Sequence, residues 1–110
     1  MKVANFPFAV TDWDSVEREE HKGETGTSFW RVRQFDDIRV RLVEYSPSYL
    51  ADHWCKKGHV ILCLAGRIES ELDDGRRIAL TAGSSYQLAD GAEAHRFSTG
   101  SEGATLFVVD

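Results

Sequence analysis

From about Gly26 onward, apolar and polar residues alternate in short runs, and glycines or paired acids stand between the runs. Alternation of this kind predicts half-buried strands, because successive side chains on a strand point to opposite faces. The pattern predicts strands over 29–35 and 38–45 around Asp36-Asp37, over 50–55 and 59–64 around Lys56-Lys57-Gly58, and over 67–72 and 76–80 around Asp73-Asp74-Gly75. Further strands fall over 84–88, 95–98 and 104–109. Only the stretch before Gly26 admits a helix, a short turn through 15–20 capped by Asp12 or Asp14. Short strands at this spacing predict a single all-β domain, a sandwich or barrel over 27–110 preceded by an extension over 1–26. The chain has no internal repeat, linker or low-complexity segment.

Composition narrows the function classes. With 110 residues, 42% hydrophobic and 28% charged, the chain suits one globular domain with a real core. Its net charge of −5 argues against a nucleic-acid partner, which selects a basic face. No apolar run reaches the length of a membrane span, so no membrane partner is expected. The first residues, Met-Lys-Val-Ala-Asn-Phe-Pro, lack the apolar stretch of a secretory signal, and a cytoplasmic location is the expectation. Two cysteines, Cys55 and Cys63, are too few for a disulfide scaffold. The 50–64 hairpin would set Cys63 opposite Ala51, and its apolar run reads as buried core. Arg31, Arg33, Arg39 and Arg41 alternate with apolar residues. They read as a solvated outer face offset by the many acids, in preference to an anion site.

The chemistry lies in Asp52-His53-Trp54-Cys55, in His59, and in His95. On a strand, His53 and Cys55 share one face. A three-residue loop at Lys56-Lys57-Gly58, with glycine left-handed, would make Cys55 and His59 cross-strand partners about 5 Å apart at their β-carbons. Imidazole nitrogens and a thiolate so placed can converge on one ion through bonds of about 2.0–2.3 Å.

These residues resemble the cupin superfamily, and within it the small single-domain group known for the DHCW motif. The first cupin stretch ends in His-x-His, three or four residues, Glu, six residues and Gly. Here it reads His53-x-Cys55, three residues, His59, six residues and Gly66. The second runs Gly, five residues, Pro-x-Gly, two or three residues and His; here it is Gly83, five residues, Ala89-x-Gly91, three residues and His95. The resemblance covers roughly 40–110. It implies a cupin-type antiparallel β-barrel or jelly roll, with His53, Cys55, His59 and His95 meeting at one divalent transition metal. A thiolate in the set favours zinc first, then iron, nickel or copper, over manganese. Ile61 and Phe97, in phase with His59 and His95, read as plain core or as candidate walls of the pocket.

The expected function is therefore a metal-binding cupin holding a small organic ligand in its barrel. Two alternatives stand beside it: a metalloenzyme (oxygenase, isomerase or hydrolase) acting on a small molecule, and a degenerate cupin without metal. Four protein ligands would close the coordination sphere and favour binding over catalysis. No obvious general base is offered, since Glu44 and Glu69 are not clearly directed at the site. An open edge strand would need covering, so a homodimer is expected.

Overall fold

Alternating burial is clearest in the last strand, where Ala104, Leu106 and Val108 are buried and the residues between them are half-exposed. The computed structural model describes residues 3–110, and all its strands pair antiparallel. They are β1 (Glu19–Lys22), β2 (Thr27–Phe35), β3 (Ile38–Tyr45), β4 (His59–Leu72), β5 (Arg77–Thr81), β6 (Ser85–Leu88), β7 (His95–Ser98) and β8 (Ala104–Val109). The main path runs β1-β2-β3-β8-β4-β5, with β6 and β7 also paired to β4. This path does not close into a ring. Two sheets instead share β4, whose first half lies between β8 and β6 and whose second half lies between β5 and β7. No helix among the described residues is long and apolar enough to cross a membrane.

The shared strand works because of a bulge. Residues 59, 61 and 63 of β4 point inward, but after the irregularity between Cys63 and Ala65 the buried positions become Ile68 and Ser70. One inserted residue reverses the parity of a strand, so both halves bury side chains in one core. Gly66, in the left-handed region at φ 73°, lies at this corner with its α-carbon against the Gly103 carbonyl, and no side chain fits there. The core holds Val43, Tyr45, Ile61, Cys63, Ile68, Leu80, Leu106 and Val108. Cys63 is fully buried, as expected of its apolar run, but it pairs with Leu106 and not Ala51.

Three local expectations are corrected. The stretch over 15–20 is not a helix: a 3-10 turn covers Trp13–Ser15, and β1 begins at Glu19. The Asp12 side chain caps no backbone N–H and accepts from Ser15 Oγ. So short a helix is marginal alone, whereas β1 gains the β2 ladder and a stack of His21 on Trp30 with ring centroids 4.1 Å apart. Second, 50–55 is not the hairpin partner of 59–64. Both edges of that part of β4 are taken, by β6 at His59–Leu62 and by β8 from Val60 onward. Leu50 makes isolated bridges to Thr25 and Ser98, and the chain bends at Asp52-His53. Third, the four arginines do not share a face. Arg31 and Arg33 oppose Leu42 and Val40, while Arg39 and Arg41 oppose Gln34 and Val32. Arg39 and Arg41 are thus in phase with the core residues Val43 and Tyr45, on the inner face.

Candidate metal centre

Cys55 and His95 are brought together by the backbone. Each donates its N–H to the other's carbonyl, at 2.8 and 2.9 Å, which makes them a directly opposed antiparallel pair with side chains on one face. Trp54 helps to hold this short segment, since its ring lies under the Arg96 guanidinium at 4.7 Å and Arg96 is itself paired to Glu71. His59, the first residue of β4, completes the group. Its ring centroid is 5.2 Å from that of His95, edge to face, and its Nε2 is 3.6 Å from Cys55 Sγ. One donor atom from each of Cys55, His59 and His95 lies within 4.8 Å of the others.

The two imidazoles are oriented by their second nitrogens. His59 Nδ1 is 2.8 Å from Asp110 Oδ2, and His95 Nδ1 is 3.3 Å from the Glu93 carbonyl. Both partners can only accept, so each Nδ1 carries the hydrogen and each Nε2 presents a lone pair. His95 Nε2 is buried and has no hydrogen-bond partner. Burial, against the opposing Glu93 hydrogen bond and with a smaller push from His59, holds the His95 imidazole below its ordinary pKa and so favours the neutral form that binds metal. The unpartnered His95 Nε2, with His59 Nε2 and the Cys55 sulfur it contacts, forms a donor set suited to a borderline or soft divalent ion. The residues fit a metal.

Asp110 lies at the centre of a charged cluster that the sequence reading missed. Its Oδ2 accepts from His59, from Arg39 at 3.0 Å and from Arg41 at 3.0 Å, while Oδ1 accepts from Arg39 Nε at 2.9 Å. Burial acts to raise the Asp110 pKa. The His59 and Arg39 hydrogen bonds and the two arginine charges overcome it, holding the carboxyl far below the usual carboxylate range. Arg41 is almost wholly buried, with its guanidinium over the Trp30 ring at 4.5 Å. A signal was available: Asp110 continues the inward phase of Ala104, Leu106 and Val108, and Arg41 that of Val43 and Tyr45.

His53 stands apart from the other predicted ligands. Its side chain is 77% exposed and its Nδ1 is 2.7 Å from Asp52. Strand phase placed it beside Cys55, but the bend at Asp52-His53 removes that phase. Ile61 is fully buried in the core, and Phe97 packs against it with its ring 6.0 Å from His95. Glu44 pairs with Arg31 and Glu69 with Arg77, and neither joins the donor group. An open cleft of about 880 Å³ borders His59 and Asp110 from outside, walled by Lys57, Gly58, Leu88 and Asp90.

No family model and no curated protein matches the sequence. Solved structures match the fold closely. A predicted oxalate decarboxylase from Thermotoga maritima superposes with a TM-score of 0.78 at 14% identity, covering 92% of this chain and 96% of that one. The polyketide cyclase RemF from Streptomyces resistomycificus gives 0.75 at 23% identity over 94% and 78%. A cupin-superfamily sugar phosphate isomerase from Silicibacter pomeroyi gives 0.73 at 19% identity over 92% and 74%. At these identities the likeness concerns the fold. Together with the shared β4 and the two-sheet arrangement, it shows that the chain has the cupin jelly-roll fold.

Proposed function

We propose that this cupin-fold chain binds one divalent transition metal through Cys55, His59 and His95, and takes a small organic molecule at the position those three donors leave open. The observation that carries this reading is the buried, unpartnered Nε2 of His95 beside Cys55 Sγ and His59 Nε2. A buried polar atom without a partner costs free energy unless something occupies its lone pair. The thiolate and two imidazoles favour zinc first, then iron, nickel or copper. His53 was expected as a fourth ligand, but its exposure argues for three.

That count favours a metalloenzyme over a storage site. Three protein ligands and one open position are the pattern of catalytic zinc, whereas structural sites are closed. An ion held there supplies Lewis acidity to a substrate oxygen or to a bound water. In this chain Asp110 fixes the His59 ring, and Phe97 packs beside His95 against the core that holds Tyr45 and Ile61. Isomerase, decarboxylase and cyclase are named among chains of this fold, so the residues at the open position decide the reaction. Elemental analysis of protein purified without chelator or affinity tag tests the reading. One equivalent of metal is expected, falling below a tenth in His95→Ala; a metal-free wild type, or full occupancy in the variant, overturns it.

We also propose that the chain acts as a homodimer in the cytoplasm, where both thiols would stay reduced. Supporting the dimer, the outward row Val60, Leu62 and Leu64 on β4 is exposed, as are Phe8 and Val10 of the N-terminal stretch. A second copy could cover both. Light scattering at micromolar concentration should give twice the chain mass, and a monomeric mass would reject the proposal.

A further inference from the structure

We propose that Cys55 is a modification site, oxidised reversibly to a sulfenic acid by small hydroperoxides, and that this oxidation empties the metal position. The inference rests on the metal reading above and adds a regulation to that site.

Access is the first argument. Of the three donors, Cys55 is half-buried, whereas His59 and His95 are buried. A small solute reaching the group from solvent therefore meets the sulfur before either imidazole. The paired backbone bonds to His95 hold the Cys55 main chain in that place.

The surroundings of the sulfur are the second argument. Cys55 Sγ accepts the Lys57 backbone N–H at 3.4 Å and lies 3.6 Å from His59 Nε2. As a metal ligand the sulfur is a thiolate, which is the nucleophilic form. That thiolate attacks one peroxide oxygen, and the S–O bond forms as the O–O bond breaks. Sulfur gives up two electrons, and the other oxygen leaves as hydroxide, which solvent protonates to water. The hydrogen of the new S–O–H group has an acceptor already in place. His95 Nε2 is buried without a partner, and the donor atoms of the group lie within 4.8 Å of one another, so an oxygen on the sulfur falls within its reach. A sulfenic acid lacks the thiolate charge that binds a divalent ion, so the donor set loses its anionic member.

Reversibility is the third argument. The other cysteine, Cys63, is fully buried opposite Leu106, its thiol donates to the Ala65 carbonyl, and it forms no disulfide with Cys55. Return therefore falls to an external low-molecular-weight thiol. Its sulfur attacks the Cys55 sulfur, water leaves, and a second thiol displaces Cys55 from the mixed disulfide.

Reduced, zinc-loaded protein treated with a modest excess of hydrogen peroxide tests this. A chromogenic chelator reads free zinc, and dimedone traps the sulfenic acid for peptide mass spectrometry. Zinc release should keep pace with a dimedone adduct on Cys55, with Cys63 labelled at least tenfold less. Dithiothreitol in place of dimedone should restore zinc binding. Cys55→Ser, loaded at excess zinc, should release none on peroxide. In chelator-treated samples His95→Ala should pass on to sulfinic acid at least tenfold faster than wild type, because the acceptor is gone. Should that variant misfold, the wild-type trapping decides by itself. Zinc-loaded wild type that shows no adduct and keeps its zinc, or that labels Cys63 equally, overturns the switch and leaves the metal reading standing. Failure to take up zinc before peroxide is added overturns both readings together.

Discussion

Cys55 and His95 hold one another's backbone N–H groups at 2.8 and 2.9 Å, though forty residues separate them. This pairing, not a local hairpin, presents the thiol to the two imidazoles. Serine at position 55 would keep the backbone bonds and replace a soft donor by a weak one. Cys55→Ser should therefore lower zinc affinity at least tenfold with little loss of stability, and should abolish the near-ultraviolet thiolate band of the cobalt protein. If the band persists in the variant, the sulfur is not a ligand.

His53, although next to the same segment, has its ring in solvent against Asp52. His53→Ala should leave metal stoichiometry unchanged and alter stability by less than about 0.5 kcal/mol, as is usual for surface substitutions. Metal content by elemental analysis and a urea midpoint check both. A large loss of metal would return His53 to the coordination sphere.

Alternation along the chain sufficed to find most strands, including the bounds of β3, β7 and β8, because each buries one face on a shared core. It failed at 50–55, since a strand also needs a free edge, and those near His59–Leu64 are taken by β6 and β8. Edge occupancy is a property of the whole sheet and leaves no mark in a six-residue window. The same limit explains the ligand set. His59 and His95 were legible from spacing, Cys55 was found through a pairing it does not make, and Asp110 was passed over although its strand phase pointed inward.

Asp110 holds His59 through Nδ1, and a carboxylate in that role fixes the tautomer and raises the basicity of the other nitrogen. Asp110→Asn keeps the shape but can present its amide N–H to the imidazole, which permits the wrong tautomer. Metal affinity should fall about 10- to 100-fold. The loss of the only carboxylate that, among the described residues, pairs with Arg39 and Arg41 should also destabilise the fold, by about 3–5 kcal/mol for a broken buried pair. Competition with a chromogenic chelator reads the first effect and urea unfolding the second. An unchanged chelator titration would remove Asp110 from the metal site.

Acid should weaken the chelator-treated protein in two stages. His95 has a folded pKa below its ordinary 6.5, because burial outweighs the opposing Glu93 hydrogen bond. The unfolded chain therefore binds the extra proton first, and stability declines as pH drops below about 6.5. Asp110 has a folded pKa depressed below 3.8 despite its burial, so its contribution is present above pH 4 and is lost as pH falls through the folded value. Urea midpoints from pH 7.5 to 3 should fall monotonically, and Asp110→Asn should flatten only the limb below pH 4. A midpoint that rises on acidification would contradict both signs.

The corner at Gly66 ties the fold to the site. β4 enters at His59 and leaves at Leu72, which stands opposite His95. Because His59 and His95 touch, the strand must turn back on itself between its two ends, and the turn falls where the register shifts after Cys63. Gly66 sits there with a positive φ and with the Gly103 carbonyl where a β-carbon would be. Alanine would meet both a backbone clash and an unfavourable conformation, a strain of about 1–3 kcal/mol from the dihedral alone. Gly66→Ala should therefore lower the urea midpoint markedly, and any folded fraction should bind zinc less tightly as the two histidines move apart. Gly75, also at positive φ but with nothing near its α-carbon, gives the control. Gly75→Ala should cost only the dihedral strain and leave zinc affinity as it was, so equal losses of affinity in the two variants would uncouple the corner from the metal centre.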